Sequence, residues 1–93
     1  MGKMGSVVDN PVRSRFELVE DGLTAFANYH RKGTEVIVSH VEAPPPLRGK
    51  GTAARLMDGI VTMARGEGLK IVPLCSYATL WFRRHPDRSD VLA

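Results

Sequence analysis

The sequence predicts one α/β domain whose mixed, mainly antiparallel sheet contains a single βαβ crossover. Three observations lead to this fold class: side chains alternate with period two before residue 30, a β-branched run leads into a glycine-rich basic loop, and a helical pattern and another apolar run follow that loop. A helix that links two strands of one sheet crosses over right-handed and makes those strands parallel. The 93 residues leave room for one domain with a modest core.

Three antiparallel strands are expected before the crossover. Phe16 and Leu18 share one face of the first strand, and Asp21-Gly22 is a hairpin turn signal. The return strand places four residues on one face: Leu23, Ala25, Ala27 and Tyr29. A second turn at residues 31–33 leads into the β-branched strand that begins near Glu35.

The crossover helix and the strand after it are predicted from their spacing. Apolar residues recur at the spacing of one helix face: Ala53, Leu56, Met57, Ile60, Val61 and Ala64. Gly68 favours a left-handed stop for this helix, and residues 69–75 form the next predicted strand. Pro73 indicates either an edge strand or a place where two strands part, because proline cannot donate to a sheet ladder. A short helix is expected at residues 77–84.

The two ends of the chain are predicted to be less regular. Residues 1–12 lack periodicity and Asn10-Pro11 disfavours a helix, so this segment is predicted as a flexible tail or a lead-in strand before the domain at 13–93. The first six residues match the short N-myristoylation pattern, which we interpret as coincidence because such short patterns recur by chance. Val91 and Leu92 are expected to dock back onto the domain.

Composition and charge restrict the class of protein. Hydrophobic residues make up 43% of the chain and charged residues 25%, as in soluble globular proteins and unlike disordered ones. The single cysteine excludes an intramolecular disulfide and suits a reducing compartment, so we expect a cytoplasmic location. No apolar run approaches the ~18 residues of a membrane span, and no membrane partner is expected. The net charge of +3 favours anionic ligands, but Lys and Arg form no stripe of the kind that nucleic-acid binding requires.

The glycine loop, which we define as residues 44–53, is the segment best suited to bind an anion. Its glycines let the backbone approach a ligand closely. Its amides open onto a helix N-terminus, where unpaired N–H groups and the positive end of the dipole favour phosphate. Arg48 and Lys50 add positive charge, and an arginine can bind two oxygens at once.

Two common phosphate-binding patterns fit this loop less well. The Walker pattern requires a Gly five positions before Gly49 and a Ser or Thr after Lys50, where this chain has Pro44 and Gly51. The dinucleotide pattern is satisfied by Gly49, Gly51 and Ala54. However, no acidic residue ends the next strand, and the chain is too short for a doubly wound sheet.

The arrangement Arg48-x-x-Gly51-x-Ala53 resembles the acyl-CoA pyrophosphate loop of the GNAT superfamily of N-acetyltransferases. Short single-domain members of this superfamily share a strand His, an Arg-Gly-Lys-Gly loop, a Pro-x-Cys strand end, a Tyr two residues later and a final His-Pro-Asp/Glu. The matching residues in this chain are His40, Arg48-Gly49-Lys50-Gly51, Pro73-Leu74-Cys75, Tyr77 and His85-Pro86-Asp87. The resemblance therefore covers most of the chain after residue 40.

This resemblance implies a minimal GNAT fold, acetyl-CoA as co-substrate, an amine-bearing acceptor that is a small molecule or a protein, and no metal. It assigns cofactor binding to seven loop residues: Leu47, Arg48, Gly49, Lys50, Gly51, Thr52 and Ala53. In this superfamily the two parallel strands splay apart and the pantetheine arm lies between them. The chain departs from the family pattern at Val41, Ser76 and Arg88, all outside the loop, which leaves the acceptor side and catalysis itself open.

His40 and Glu42 are candidates for proton transfer. Acetyl transfer requires a neutral amine, an acceptor for its proton and stabilisation of the oxyanion. An alkyl amine with a pKa of ~10.4 is almost fully protonated at pH 7, so its deprotonation matters. Histidine exchanges protons near neutral pH, and Glu42 on the same strand face is placed to orient His40 or to act through water. The alternative for His40 is a structural histidine of the sheet.

Cys75 and Tyr77 are candidates at the thioester. A thiol can accept the acetyl group or donate a proton to departing CoA, but free cysteine is also a small residue typical of cores. Tyr77 offers a second acid, or is an aromatic residue of the core. Trp81 and Met57 are expected in the core, and His85 is expected to cap the last helix.

The sequence thus favours an acetyl-CoA-dependent N-acetyltransferase. The competing interpretation is a non-catalytic acyl-CoA-binding or interaction module, and a third is a small basic nucleic-acid binder. Transfer through an acetylated Cys75 is the alternative to direct transfer, and direct transfer is favoured because no basic residue is obviously placed in sequence to ionise the thiol.

Overall fold

Five strands follow one another in sequence order across a single sheet in the computed structural model, which describes residues 6–93. They are β1 (Val8–Asn10), β2 (Arg15–Glu20), β3 (Leu23–Lys32), β4 (Glu35–Glu42) and β5 (Lys70–Pro73). The helices are α1 (Thr52–Glu67) and α2 (Ser76–Arg84), with 3-10 helices at Pro45–Leu47 and Pro86–Val91. Strands β1 to β4 are antiparallel, and β4 and β5, which flank α1 in sequence, are parallel. The predicted mixed sheet with a βαβ crossover is confirmed.

The core lies on one face of this sheet. Phe16 pairs with Ala27 and Tyr29 pairs with Val38, so their side chains share a face, as the alternation predicted. The strand residues buried on this face are Phe16, Leu18, Ala25, Ala27, Tyr29, Val36, Val38 and Ile71. The helices bury Leu56, Met57, Ile60, Val61, Ala64, Ala78, Trp81 and Phe82 against the same core. Within the described chain, the opposite face of the sheet is therefore left without a covering helix.

The two ends of the described chain both join the sheet. Residues 1–12 were predicted as a flexible tail or a lead-in strand, and residues 8–10 take the strand form because β1 pairs with β2. The hydroxyl of Tyr29 donates a hydrogen bond to Asp9 of β1 (2.5 Å). The myristoylation pattern includes residues 1–5, which lie outside the described residues. Val91 is buried and Leu92 bridges Ile71 of β5, which confirms the predicted docking of this end.

Strands β4 and β5 part close to a bulge in β4. The register of β4 with β3 shifts after Val38, so that Ser39 is an extra residue before His40. On its other side, β4 pairs with β5 only as far as Pro73. The strand predicted at residues 69–75 is therefore shorter than expected, because the chain leaves the sheet there to enter α2. Pro73 lies where the two strands separate and also on the last strand of the sheet, so both positions that its residue type allows are found.

Candidate functional site

The glycine loop leaves β4 through a 3-10 turn and enters α1 through two left-handed glycines. Leu47, the last residue of the turn, is buried. Gly49 has φ 80° and Gly51 has φ 83°, a region that residues with a Cβ atom rarely adopt. Gly51 is the N-cap of α1 and supplies no side-chain cap to the helix. The backbone at the start of α1 is thus left open to another partner.

The backbone amides of the glycine loop divide into bonded and free groups. Three of them donate to carbonyl oxygens of the loop: Leu47, Arg48 and Lys50. The first bond of the helical ladder runs from the Arg55 amide to the Gly51 carbonyl (3.0 Å), so the amides of residues 52–54 have no partner within the helix. The amides of Gly49 and Gly51 also meet no acceptor among residues 6–93. The free amides make a site suited to an anion.

A cavity of about 420 Å³ opens beside these amides. Its lining comes from the end of β4, the glycine loop, the first turn of α1 and the first turn of α2: Val41, Ala43, Leu47, Arg48, Gly49, Gly51, Thr52, Ala53, Ala54 and Tyr77. The volume lies in the ~300–1,000 Å³ range of small-molecule sites, and the lining is mainly apolar. Among the predicted cofactor residues, Lys50 lies outside the lining, with its Nζ 3.9 Å from Asp21 Oδ2 at the surface.

Arg48 is the charged side chain of the cavity lining. Its Nε donates to the carbonyl of Ala43 (3.1 Å), another residue of the lining, which holds the guanidinium beside the cavity. Its terminal nitrogens make no hydrogen bond or ion pair with another described residue and are exposed to an incoming anion. An arginine held in this way can bind a phosphate through two parallel hydrogen bonds.

Glu20, at the end of β2, binds two side chains of the first turn of α1. Its carboxylate accepts hydrogen bonds from Thr52 Oγ1 (2.6 Å) and from Arg55 Nε and Nη2 (2.7 and 2.8 Å). The hydrogen bonds from Arg55, and then that from Thr52, lower the pKa of Glu20 to about 2. Arg55 Nη2 also donates to the carbonyl of Lys50 (2.9 Å). We call Glu20, Thr52 and Arg55 the Glu20 clamp.

His40 and Glu42 lie together but outside the cavity lining. His40 Nε2 is 2.9 Å from Glu42 Oε1, the contact that their spacing predicted. Both side chains lie on the sheet face opposite the core and are about half exposed, at 52% and 47%. The bulge at Ser39 shifts the alternation of β4, so that Val41 between them lines the cavity instead. The ring of Phe26 lies beside the imidazole, with centroids 6.2 Å apart. Their catalytic roles stay predictions.

Cys75 is the N-cap of α2. Its Sγ accepts a hydrogen bond from the amide of Ala78 (3.4 Å), and its side chain is half-buried against the core. It lies outside the cavity lining. Capping α2 and packing against the core are enough to account for a cysteine at this position without a catalytic role. Its proposed contact with the thioester stays a prediction.

Tyr77 is the one catalytic candidate that lines the cavity. The residue is also partly exposed, at 37%. Burial and, to a lesser extent, the nearby Cys75 raise the pKa of its hydroxyl above its ordinary value. Its role as a proton donor stays a prediction.

The remaining expectations concern structural residues and metals. Trp81 and Met57 are buried in the core, as expected. His85 is the C-cap of α2, and its Nδ1 lies 2.7 Å from the carbonyl of Trp81. Within residues 6–93, no group of three or more His, Cys, Asp or Glu side chains is arranged to hold a metal ion. Over the same residues, no helix has both the length and the apolar character needed to cross a membrane.

Comparison with known proteins gives a family and a related fold. Residues 15–91 match the family model of the GCN5-related N-acetyl-transferases. The fold is similar to the NMR solution structure of a GCN5-like candidate N-acetyltransferase from Staphylococcus aureus, with a TM-score of 0.69 and 22% sequence identity over 100% of this chain and 91% of that chain. This likeness confirms the predicted minimal GNAT fold. No curated protein matches the sequence. Because the family match spans most of the chain, the protein belongs to the GCN5-related N-acetyltransferase family.

Proposed function

We propose that this protein binds acetyl-CoA in the cavity beside the glycine loop and transfers the acetyl group to an amine. One observation carries the proposal: free backbone amides, the Arg48 guanidinium and a mainly apolar cavity meet at one place. The amides and Arg48 suit the pyrophosphate, and the apolar walls suit the pantetheine arm. The edge of β4 beyond Val38, which β5 leaves unpaired, offers backbone hydrogen bonds to the amides of that arm.

The proposed chemistry uses the two sides of β4. The amine nitrogen attacks the thioester carbonyl carbon, the carbon–sulfur bond breaks, and CoA leaves as a thiolate. Tyr77, on the cavity side, donates the proton that the thiolate takes. His40, supported by Glu42 on the open side, accepts the proton that the amine loses. Because a carboxylate only accepts hydrogen bonds, His40 Nε2 carries the hydrogen toward Glu42 and Nδ1 is left as the base.

A non-catalytic acyl-CoA-binding module is the second candidate. It is favoured by a specific observation: His40, Glu42 and Cys75 all lie outside the cavity lining. The two candidates share the ligand and the loop that binds it. They differ in whether an amine is acetylated.

Thermal unfolding with and without acetyl-CoA tests the shared step. At a ligand concentration about 100-fold above Kd, binding to the native state adds ~2.7 kcal/mol to the free energy of unfolding. Trp81, the one tryptophan and a buried one, gives a fluorescence signal for unfolding. Unchanged melting at millimolar acetyl-CoA would contradict both candidates.

A turnover measurement then distinguishes the transferase from the binding module. CoA release is measured with a panel of primary amines that includes small alkyl amines, peptide N-termini and lysine peptides. Acetylated amine at a rate above the uncatalysed one supports the transferase. Stabilisation by acetyl-CoA without any product across the panel supports the binding module.

A further inference from the structure

We infer that the Glu20 clamp positions the glycine loop for the pyrophosphate of CoA, so that Glu20 and Arg55 are positioning residues that act without touching the ligand. The inference rests on the proposed function and concerns the same site. The side chains of the clamp come from two distant parts of the chain, since Glu20 is 32 residues from Thr52 and 35 from Arg55.

The clamp supplies the support that the loop lacks locally. Gly49 and Gly51 give the loop its left-handed turns, but glycine also leaves the backbone the most freedom, and α1 has no side-chain cap. Arg55 binds the carbonyl of Lys50, which lies between the two glycines. Arg55 is in turn fixed by Glu20, so the flexible turn is tied to the end of β2.

Thr52 connects the clamp directly to a free amide. It is the first residue of α1, and its amide is one of those that have no acceptor within the helix. Its side chain is buried, and its hydroxyl donates to Glu20. Holding the side chain on the Glu20 side fixes the rotation of the first turn, and with it the direction of the amides beside the cavity.

The clamp also decides which cation meets the phosphate. Arg48, Lys50 and Arg55 all lie in or next to the loop. Arg55 forms a two-point ion pair with Glu20, whose side chain is only 12% exposed, so its charge is already neutralised. Lys50 lies outside the cavity lining, whereas Arg48 lines the cavity with its terminal nitrogens free, so Arg48 is the cation placed for the ligand.

A second ion pair on α1 serves as a matched control. Arg65 donates to both carboxylate oxygens of Asp90 (2.9 and 2.7 Å), and so ties the far end of α1 to the 3-10 helix at Pro86–Val91. It has the same two-point geometry as the pair between Arg55 and Glu20 but lies at the other end of the helix. Asp90→Asn therefore reports the general effect of losing an ion pair on α1.

The first test needs no ligand. Amide hydrogen exchange is measured at the hydrogen-bonded amides of Arg48, Lys50 and Arg55 in the parent, Glu20→Gln, Thr52→Val and Asp90→Asn proteins, each under conditions where unfolding shows it folded. Faster exchange confined to these three amides in Glu20→Gln, a smaller rise in Thr52→Val and parent values in Asp90→Asn support the clamp. Parent exchange at these amides in both Glu20→Gln and Thr52→Val would overturn it, whatever the protein binds.

The second test uses desulfo-CoA, which carries the pyrophosphate but cannot transfer an acetyl group. Calorimetry should give a Kd about 2- to 150-fold higher for Glu20→Gln than for the parent, the range of coupling within one hydrogen-bond network, and a parent Kd for Asp90→Asn. Glu20→Asp should recover part of the loss. The KM for acetyl-CoA should rise with kcat little changed. Parent affinity in Glu20→Gln would overturn the positioning role. If the parent itself fails to bind desulfo-CoA, the proposed function fails, and the exchange data alone decide whether the clamp orders the loop.

Discussion

His40 Nε2 lies 2.9 Å from Glu42 Oε1 on the sheet face that the helices leave open. The face on which this pair lies depends on the bulge at Ser39, because without the extra residue His40 and Glu42 would point toward the core and Val41 away from it. One inserted residue thus assigns Val41 to the cavity and the imidazole to the opposite side of the same strand. Under the proposed function, CoA would approach the acetyl group between β4 and β5 from one side of the sheet and the amine from the other.

His40→Gln should lower kcat about 10²–10⁴-fold if His40 is the base, while the Kd of acetyl-CoA stays near the parent value. Glu42→Gln should lower kcat less, because it keeps a hydrogen-bond partner for the imidazole but removes its charge. The pH profile of kcat should lose one limb in His40→Gln only. A variant that melts earlier but turns over normally at low temperature would return His40 to the structural alternative.

Arg48→Ala and Gly51→Val should weaken acetyl-CoA binding by different routes. The first removes a charge-assisted contact worth about 1.5–3 kcal/mol, which raises Kd roughly 10- to 150-fold. The second forces a β-branched residue into a left-handed conformation and places a Cβ 2.9 Å from Arg55 Nη1, so that it also disturbs the Glu20 clamp.

Gly49→Ala is the control for conformational strain in that comparison. Its φ is 80°, but a Cβ there meets no atom within 4 Å. It should cost stability without moving Arg55, so its effect on Kd should be smaller than that of Gly51→Val. If Arg48→Ala and Gly51→Val both bind acetyl-CoA as the parent does, the glycine loop is not the cofactor site.

The Glu20 clamp should make stability depend on pH in the acid range. The pKa of Glu20 is lowered from 4.5 to about 2, so the folded state binds the proton less readily than the unfolded state. Its stabilisation is therefore complete above pH 4.5 and disappears as the pH falls toward 2. The clamp bonds should contribute about 1–3 kcal/mol at neutral pH.

Urea unfolding of the parent and Glu20→Gln between pH 7 and pH 2 measures this effect. The difference in unfolding free energy between them should be largest at pH 7 and should shrink below pH 4.5. Asp90, whose pKa is also lowered by Arg65, contributes the same background to both proteins. A difference that stays constant down to pH 2 would show that the Glu20 charge does not support the fold.

Local patterns in the sequence were enough to predict β2 to β5, both α-helices and the loop, but not the two 3-10 helices. Period two marked β2 and β3, apolar spacing marked α1, and Gly68 marked its left-handed end. The contacts between residues that are distant in the sequence were not predicted. Glu20 reads in sequence as an ordinary charge before a hairpin turn, and nothing near it points to Thr52 or Arg55. The only available signal was an acidic residue at a strand end facing a basic helix start.

The candidate catalytic residues show the same limit. The contact between His40 and Glu42 follows from strand alternation, so it was predictable. The bulge that carries both to the open face depends on the register between β3 and β4, which alternation alone does not define. For Cys75, the position at a strand end was close to correct. Its capping of α2 was missed because the helix begins one residue earlier than its apolar spacing indicated.

Val7 should couple energetically to Gly59 of α1. A Cβ at Gly59 would overlap Val7 Cγ2 and lie 2.6 Å from Val7 Cβ, so Gly59 makes room for the segment before β1. Gly→Ala inside a helix normally gains about 0.5–1 kcal/mol. In the parent protein, Gly59→Ala should not raise the free energy of unfolding, because the new Cβ displaces Val7. In a Val7→Gly background the same substitution should raise the free energy of unfolding. Urea unfolding of the four proteins gives the coupling energy, and equal effects in both backgrounds would contradict the contact.

Cys75→Ser and Cys75→Ala together should separate the capping role of Cys75 from a covalent role. A serine oxygen can accept the hydrogen bond from the Ala78 amide, so Cys75→Ser should keep the cap, whereas Cys75→Ala should lose about 0.5–2 kcal/mol of unfolding free energy. Direct transfer needs no nucleophile on the protein. Under that route both variants should turn over at a substantial fraction of the parent rate at a temperature where both are folded.

A covalent route predicts the opposite pattern, because neither variant could form a thioester with the acetyl group. Acetyl-CoA alone would then add an acetyl group to parent Cys75, visible as an intact-mass increase that hydroxylamine removes, and initial rates with both substrates varied would give parallel lines. We expect direct transfer, because Cys75 lies outside the cavity lining and its Sγ is engaged by the Ala78 amide. A hydroxylamine-sensitive acetyl-Cys75 that passes its acetyl group to an amine at the turnover rate would contradict this expectation. Loss of activity in both variants, while acetyl-CoA still stabilises them, would also contradict direct transfer.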